Sequence, residues 1–240
     1  MRVLGQEHPD TLASVADLAR ILCERGKWKE TEELEVQVIE TGKRIWGQEH
    51  PHTLSSMANL AMTFRKQGRW KEAEELDVQV LEARKKVLGQ DHPNILAGMD
   101  NLAATLCGQG KWKEAEELEV QVIETRKRIQ GQEHPHTLNS MASLAATLFE
   151  QGKWKEAEEL RVQVIETRKR VLGQEHPDTL FRMSGLAVMW KSQGCDNETL
   201  ALIKKCLTLQ KQEPGFNHPD TKYSLKVLNN WQIENLALSH

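Results

Sequence analysis

Residues 51–91 read PHTLSSMANLAMTFRKQGRWKEAEELDVQVLEARKKVLGQD, and this stretch contains two helical patterns separated by a glycine. In the first pattern the apolar side chains recur at the spacing of one helical stripe. They are Leu54, Met57, Leu60, Ala61 and Phe64. Gly68 interrupts the pattern, and its tolerance of positive φ suits a tight turn between helices. A second stripe then runs from Trp70 to Val87, so the stretch predicts a pair of helices.

The ends of the two patterns support helices of about 16 residues each. Pro51 stands where a helix would begin, and the first turn is the one place where a missing N–H costs nothing. In the second pattern the segment DVQV alternates as a strand would, which leaves it ambiguous by itself. Its flanks favour a helix, because Glu gathers in the first turns and Lys and Arg in the last, which complements the helix dipole.

A 42-residue repeat organises the whole chain, because the dipeptide His-Pro recurs at that interval from His8 to His218 without insertion or deletion. A fixed period in this range is typical of solenoids, in which each unit buries its apolar face against the next. We therefore expect one all-α solenoid over residues 1–240. Its predicted repeats are 8–49, 50–91, 92–133, 134–175 and 176–217.

The two ends of the chain depart from the repeat. Residues 2–9 duplicate residues 170–177, so residues 1–7 are predicted to be the remnant of a preceding helix, with further repeats or an amino-terminal domain before it. Residues 218–240 place Asn229 and Gln232 where other repeats have small or apolar side chains. This polar substitution predicts a terminal capping helix.

Composition and charge exclude several classes of protein. The chain has 32 basic and 35 acidic side chains, a balance that does not indicate a polyanion-binding domain. It has no apolar run near the ~18 residues of a membrane span, and its first residues do not resemble a secretory signal. Its four cysteines form no CxxC pair. We expect a cytoplasmic protein with reduced thiols and no membrane association.

The histidines and tryptophans invite functional readings, for which the repeat offers simpler explanations. Six of the nine histidines precede Pro at predicted helix starts, so we interpret them as helix-entry residues rather than metal ligands. Four tryptophans, Trp28, Trp70, Trp112 and Trp154, begin the second helices and are predicted to pack in the core. With no phosphate-binding loop or GxSxG motif, we predict no catalytic residue, no metal and no cofactor.

Small residues indicate which solenoid this is. The dipeptide Leu-Ala recurs in all five repeats, and an Ala side chain lets paired helices approach closely. The string LAxTLxxQGKWKEAEEL resembles a tetratricopeptide repeat, and the 42-residue spacing with GQEHPxTL resembles the kinesin light chain type. Two features depart from the family pattern: Val38 and its equivalents replace Ala, and the helix-ending Pro is missing. The resemblance implies a right-handed solenoid of antiparallel helix pairs.

The candidate partner-binding site lies where the repeats differ. The second helices are almost copied, whereas one face of the first helices varies, and the resemblance implies that this face lines a concave groove. The predicted partner-binding residues are Asp17, Arg20, Glu24, Asn59, Met62, Arg65, Lys66, Asp100, Asn101, Ser143, Phe149, Glu150 and Lys191.

Two asparagines stand out on this face. In kinesin light chain-like repeats the Asn before the Leu resembles a rung that clasps a peptide backbone, which Asn59 and Asn101 could do by donating and accepting together. The other interpretation, that both are solvated polar residues, stays open. Asp17, Ser143 and Gly185 interrupt the series.

The charges on the variable face cancel, whereas a groove for nucleic acid would be uniformly basic. We therefore expect a protein or extended peptide partner, held by backbone contacts and by shallow apolar pockets near Met62, Phe149, Phe181 and Trp190. The leading hypothesis is a non-catalytic protein-interaction scaffold. Two alternatives are a ligand-sensing repeat array of a larger NB-ARC/STAND signalling ATPase, as in fungal receptor-like proteins, and a kinesin light chain-like cargo adaptor.

Overall fold

The computed structural model describes residue 5, residues 7–192, residue 194, and residues 196–210 and 219–237. Within these residues the chain forms helices and no strands, which confirms the predicted all-α class. Most of the predicted remnant at residues 1–7 lies outside the described residues, as do Cys195 and residues 238–240.

Five helix pairs follow one another along the chain. The first helices are 16 residues long: α1 (Pro9–Glu24), α3 (Pro51–Lys66), α5 (Pro93–Gly108), α7 (Pro135–Glu150) and α9 (Pro177–Ser192). The second helices are α2 (Trp28–Ile45), α4 (Trp70–Leu88), α6 (Trp112–Gln130), α8 (Trp154–Leu172) and α10 (Asp196–Gln210). A further helix, α11 (Pro219–Ala237), follows.

The second helices of the first four pairs are longer than predicted, at 18 or 19 residues instead of about 16. Their last turns consist of Lys, Arg and other good helix formers, so the helix continues. In α4 and α8 it ends only at a glycine with positive φ, Gly89 or Gly173. The glycines at this junction between repeats were not predicted as turn residues.

The histidine before each helix-opening proline is an N-cap. The Nδ1 atom of His50 accepts a hydrogen bond from the backbone N–H of His52 over 3.3 Å, and Pro51 follows at the first helical position. His8, His92, His134 and His176 make the same bond at the starts of α1, α5, α7 and α9. The predicted helix-entry role is therefore confirmed for these five histidines.

The helices divide into two compact units, Met1–Ile129 and Gln130–His240. In the first unit α1 to α4 each pack on the next helix, and the first helices also contact one another, α1 with α3 and α3 with α5. The expected single solenoid over the whole chain stays a prediction.

The Leu-Ala dipeptide packs as predicted in α3 and α5, where Leu60, Ala61, Leu102 and Ala103 are all buried. In α1 Ala19 is buried, but Leu18 is 48% exposed, so the predicted packing is wrong there. Leu60 packs in a cluster with Ile39 of the preceding helix α2, and among the described residues no helix precedes α1 to cover Leu18 in the same way.

In the second unit α7 to α10 each pack on the next helix, and α9 also contacts α11. Leu228 and Trp231 of α11 are buried in a cluster with Ala187, Ile203 and Leu207. Asn229 is exposed on the other side of α11, while the side chain of Gln232 lies outside the described part. The capping role of residues 218–240 stays a prediction.

The four repeated tryptophans begin α2, α4, α6 and α8 as predicted, but they are not core residues. Trp28 is 40% exposed and Trp154 is 57% exposed, while Trp70 and Trp112 are half-buried. The core position belongs to the Ala three residues later, which is fully buried at Ala73. A tryptophan at the first helical position lies at the end of the helix pair, where less of its ring is covered.

Candidate functional site

The first helices place the predicted site residues at the surface or just below it. Asp17, Arg20, Glu24, Lys66, Ser143 and Glu150 are exposed, and Asn59, Met62, Arg65, Asp100, Asn101, Phe149 and Lys191 are half-buried. In the first unit they lie on α1, α3 and α5, which contact one another directly. The three helices therefore place residues from successive repeats side by side.

Two of these residues are joined by a polar network in the first unit. Arg65 donates from Nη1 to Asp77 Oδ2 over 2.7 Å and from Nη2 to Asn101 Oδ1 over 3.4 Å. Asp77, on α4, is buried, and it also accepts a 2.6 Å hydrogen bond from the hydroxyl of Thr105. The network fixes the Arg65 side chain between α3, α4 and α5, so this arginine is a structural residue as well as a surface one.

The same network position recurs one repeat earlier with a glutamate. Glu35, on α2, is buried and accepts a 3.0 Å hydrogen bond from the hydroxyl of Thr63 on α3. Burial raises the pKa of Glu35 to about 7, against the opposing effect of the Thr63 hydrogen bond. The pKa of Asp77 is also raised, by burial, although Thr105 and Arg65 both lower it. These carboxylates connect α2 to α3 and α4 to α5.

Several charges on the predicted site are paired within the protein. Asp100 on α5 forms a 2.7 Å ion pair with the largely buried Arg126 of α6. Arg20 and Glu24, one turn apart on α1, form an exposed pair at 2.9 Å. Such pairs leave this face of the first unit with little uncompensated charge.

The two predicted asparagine rungs have different environments. Asn59 lines a cavity of about 390 Å³ together with Asp17, Val38 and Trp46. Asn101 is not in this cavity, and its carbonyl oxygen accepts the bond from Arg65. The first asparagine therefore borders open space, while the second is part of the polar network.

A larger cavity, of about 460 Å³, lies in the second unit. Ser143 of the predicted site lines it, as does Phe181, where an apolar pocket was expected. Phe149 and Trp190 instead pack against the core of this unit, and the Trp190 indole donates to Glu158 over 2.7 Å. Phe181 therefore lines the cavity, whereas Phe149 and Trp190 pack against the core.

Two residues of this cavity, Arg161 and Arg182, were missed in the sequence. The signal was present: Arg161 stands 42 residues after Glu119 and 84 after Asp77, at the position that is acidic in the three earlier repeats. The predicted site includes only the variable face of the first helices, whereas Arg161 lies on a second helix.

The comparison with protein families agrees with this architecture. Two overlapping matches to a tetratricopeptide repeat model cover residues 10–86 and 52–128, and a second tetratricopeptide repeat model matches residues 137–178. This chain belongs to the tetratricopeptide repeat family. The matched residues span the helix pairs from α1 to α8.

Solved structures place the chain with the kinesin light chain-like members. A Podosopora anserina protein described as a kinesin light chain with nearly identical TPR-like repeats is 33% identical, with a TM-score of 0.72, and the match covers 87% of this chain and 99% of that one. BtubC (BKLC) from P. vanneervenii is 16% identical with a TM-score of 0.70, over 88% of this chain and 83% of that one.

The fold is also similar to that of NprR, solved in complex with its cognate peptide NprX. That match has 16% identity and a TM-score of 0.68, and it covers 93% of this chain and 62% of that one. No curated protein matches the chain. Across the described residues, we find no helix with the combination of length and apolar character that a bilayer span requires.

Proposed function

We propose that this tetratricopeptide chain is a non-catalytic interaction module that binds a peptide, or an extended segment of a partner protein, on the face of its first helices. The observation that carries the proposal is the distribution of sequence differences. The second helices α2, α4, α6 and α8 are nearly copied from repeat to repeat, whereas the side chains on this face of the first helices change. A surface that changes while its supporting helices do not is expected where a specific partner is recognised.

The two cavities support this proposal, because residues of the first helices contribute to the lining of both. In the first unit, Asn59 and Asp17 offer an amide and a carboxylate next to the apolar side chains of Val38 and Trp46. An extended peptide presents alternating N–H and C=O groups and side chains that need both kinds of contact. The NprR complex is an example of this fold binding a peptide.

The mixed charges of the face favour a protein partner over a nucleic acid. Arg65, Asp100, Arg20 and Glu24 each have a partner within the first unit. A surface that tracked phosphates would instead present free Lys and Arg side chains along its length.

The test is a selection of peptides from a random displayed library on the immobilised chain, followed by affinity measurements with two matched triple variants. The site variant replaces Glu24, Lys66 and Glu150 by Ala, three exposed residues of α1, α3 and α7. The control variant replaces Glu33, Lys71 and Glu117 by Ala, three exposed residues of α2, α4 and α6 with the same charges.

We expect the site variant to bind the selected peptides at least tenfold more weakly and the control variant to bind them as the parent chain does. Both variants should melt at the parental temperature, because isolated surface changes alter stability little. A library that yields no binding peptide, or an equal loss in the control variant, would refute the proposal.

A further inference from the structure

The cavity of about 460 Å³ in the second unit is lined by aromatic side chains and by two arginines. Helices α7, α8, α9 and α11 all contribute to it, and its lining includes both small and aromatic residues. Phe181 is 43% exposed and Tyr223 is 47% exposed, so the aromatic wall is open to a ligand. Two guanidinium groups, those of Arg161 and Arg182, complete the lining.

Arg161 occupies a position that is acidic in the preceding repeats. At this position Glu35 and Asp77 accept hydrogen bonds from the hydroxyls of Thr63 and Thr105, each on the first helix of the following repeat. In the α8 repeat both sides of this interaction change, because the acid is replaced by Arg161 and the residue equivalent to the threonine is Met189, which has no hydroxyl. The interaction between repeats is thus replaced by a cation that lines a cavity.

Arg161 has no anionic partner among the residues that the structure describes. Its Nε atom is buried and makes no hydrogen bond there. Gly185 allows the guanidinium to pack close to α9, since a Cβ at that glycine would lie 3.2 Å from Nη1. A half-buried cation with no counter-charge and a buried, unsatisfied Nε–H is costly, and arginine does not lose its proton, so an anion from outside would relieve the cost.

The neighbouring acid is already engaged. Asp178 forms a 3.2 Å ion pair with Arg168, which is fully buried, and Arg168 also donates to Asn139 Oδ1 over 2.7 Å. Arg182 donates to the same Asn139 oxygen over 3.0 Å, so its partner is neutral. Of the guanidinium groups of Arg161, Arg168 and Arg182, only that of Arg168 forms an ion pair with Asp178. Burial lowers the pKa of Arg161 and of Arg182, and the charges of Arg168 and Arg161 lower that of Arg182 further.

We propose that this cavity binds a carboxylate of the peptide partner, with Arg161 and Arg182 as its donors and with Phe181 and Tyr223 contacting an apolar side chain beside that carboxylate. The guanidinium group is suited to this role because its planar N–H donors match the two oxygens of a carboxylate. The inference rests on the proposed function and adds the class of ligand: a peptide with an acidic residue next to an apolar one.

The test follows the Nε–H signal of Arg161 by ¹H–¹⁵N NMR on the whole chain, with the signal assigned through Arg161→Lys. The probe is a tetrapeptide of glycine, phenylalanine, glutamate and glycine with both ends blocked, and its counterpart has glutamine in place of glutamate. We expect the acidic peptide to shift the signal saturably and the glutamine peptide to bind at least tenfold more weakly. Arg161→Gln should weaken the acidic peptide by a similar factor.

Arg170→Gln is the matched control, because Arg170 is an exposed arginine of the same helix that pairs with Glu133 outside the cavity. It should leave binding of the acidic peptide unchanged. The melting temperatures of Arg161→Gln and Arg161→Lys are measured in parallel. A parental melting temperature shows that a loss of binding does not come from unfolding.

Three results would overturn the inference: no saturable shift with the acidic peptide, equal binding of the glutamine peptide, or equal affinity for acetate and phosphate ions with no contribution from the phenylalanine. The library selection separates this inference from the proposed function. The selected peptides could bind Arg161→Gln as tightly as the parent chain and bind the site variant more weakly. That result would refute the carboxylate pocket and leave the proposed function in place.

Discussion

Arg65 donates to the buried carboxylate of Asp77 over 2.7 Å and so links the variable face of α3 to the interior of the first unit. The side chain of Arg65 is 13% exposed and that of Asp77 is 2% exposed. A buried ion pair contributes little net stability, but the loss of one partner leaves the other charge buried and unpaired, which is strongly destabilising. Arg65 therefore has a structural role that any binding experiment must separate from contact with a partner.

Arg65→Met should lower the free energy of unfolding by about 3 kcal/mol, because it leaves the Asp77 carboxylate buried with only Thr105 as a described donor. Urea unfolding followed by circular dichroism measures the change. Lys66→Met, at the exposed neighbouring position, should change it by less than about 0.5 kcal/mol. Similar losses in the two variants would contradict the assigned role of the Arg65–Asp77 pair.

Glu35→Gln should make stability less dependent on pH. Burial raises the pKa of Glu35 from its ordinary value of 4.5 to about 7 in the folded protein, so the unfolded chain releases this proton more readily. The stability that the protonated acid provides is complete below pH 4.5 and is lost as the pH rises to about 7. Glutamine still accepts the Thr63 hydrogen bond and has no proton to lose.

The variant and the parent chain should therefore have similar stabilities near pH 4, and the variant should be more stable above pH 7, by up to about 3 kcal/mol. Thermal or urea unfolding at a series of pH values measures the difference. A difference that stays constant between pH 4 and pH 8 would show that Glu35 does not titrate in this interval.

Gly108→Ala should destabilise the first unit even though alanine is the better helix former. A Cβ at residue 108 would lie 2.4 Å from the indole of Trp70, so the ring would have to move. We expect a loss of about 1–3 kcal/mol in unfolding free energy, as in other overpacked sites.

The sign of this effect should reverse in a Trp70→Ala background. With the indole removed, Gly108→Ala should stabilise by up to about 1 kcal/mol through helix propensity. Urea unfolding of the four chains forms a double-mutant cycle. If Gly108→Ala stabilises the chain with Trp70 in place, the packing of the ring against this glycine is refuted.

The elements that sequence predicted best are those fixed by local chemistry. Pro51, Gly68 and Trp70 mark the start of α3, the turn after it and the start of α4, because proline and glycine restrict or extend the backbone locally. The exposure of Trp154 and of Leu18 could not be read in the same way. Both occupy repeated positions, and their burial depends on which neighbouring helices cover them.

The candidate site shows the same division. Periodicity identified the face of the first helices on which Asn59 and Ser143 lie. It did not identify the interior contacts of Arg65 or the cavity beside Arg161, because each depends on side chains from three or more helices. The alignment of the repeats shows the acid-to-arginine change at residue 161. That this arginine lines a cavity could be seen only once the positions of Met189 and Gly185 were known.

The most direct test of the central claim is ¹³C methyl NMR of the methionines in the presence of a selected peptide. Met62 is half-buried on the variable face of α3, whereas Met57, Met99 and Met141 are core residues. For a peptide that binds the site variant (Glu24, Lys66 and Glu150 replaced by Ala) more weakly than the parent chain, we expect the Met62 methyl signal to shift. The signals of the three core methionines should not shift. An unchanged Met62 methyl signal at saturation with the peptide would contradict binding on the face of the first helices.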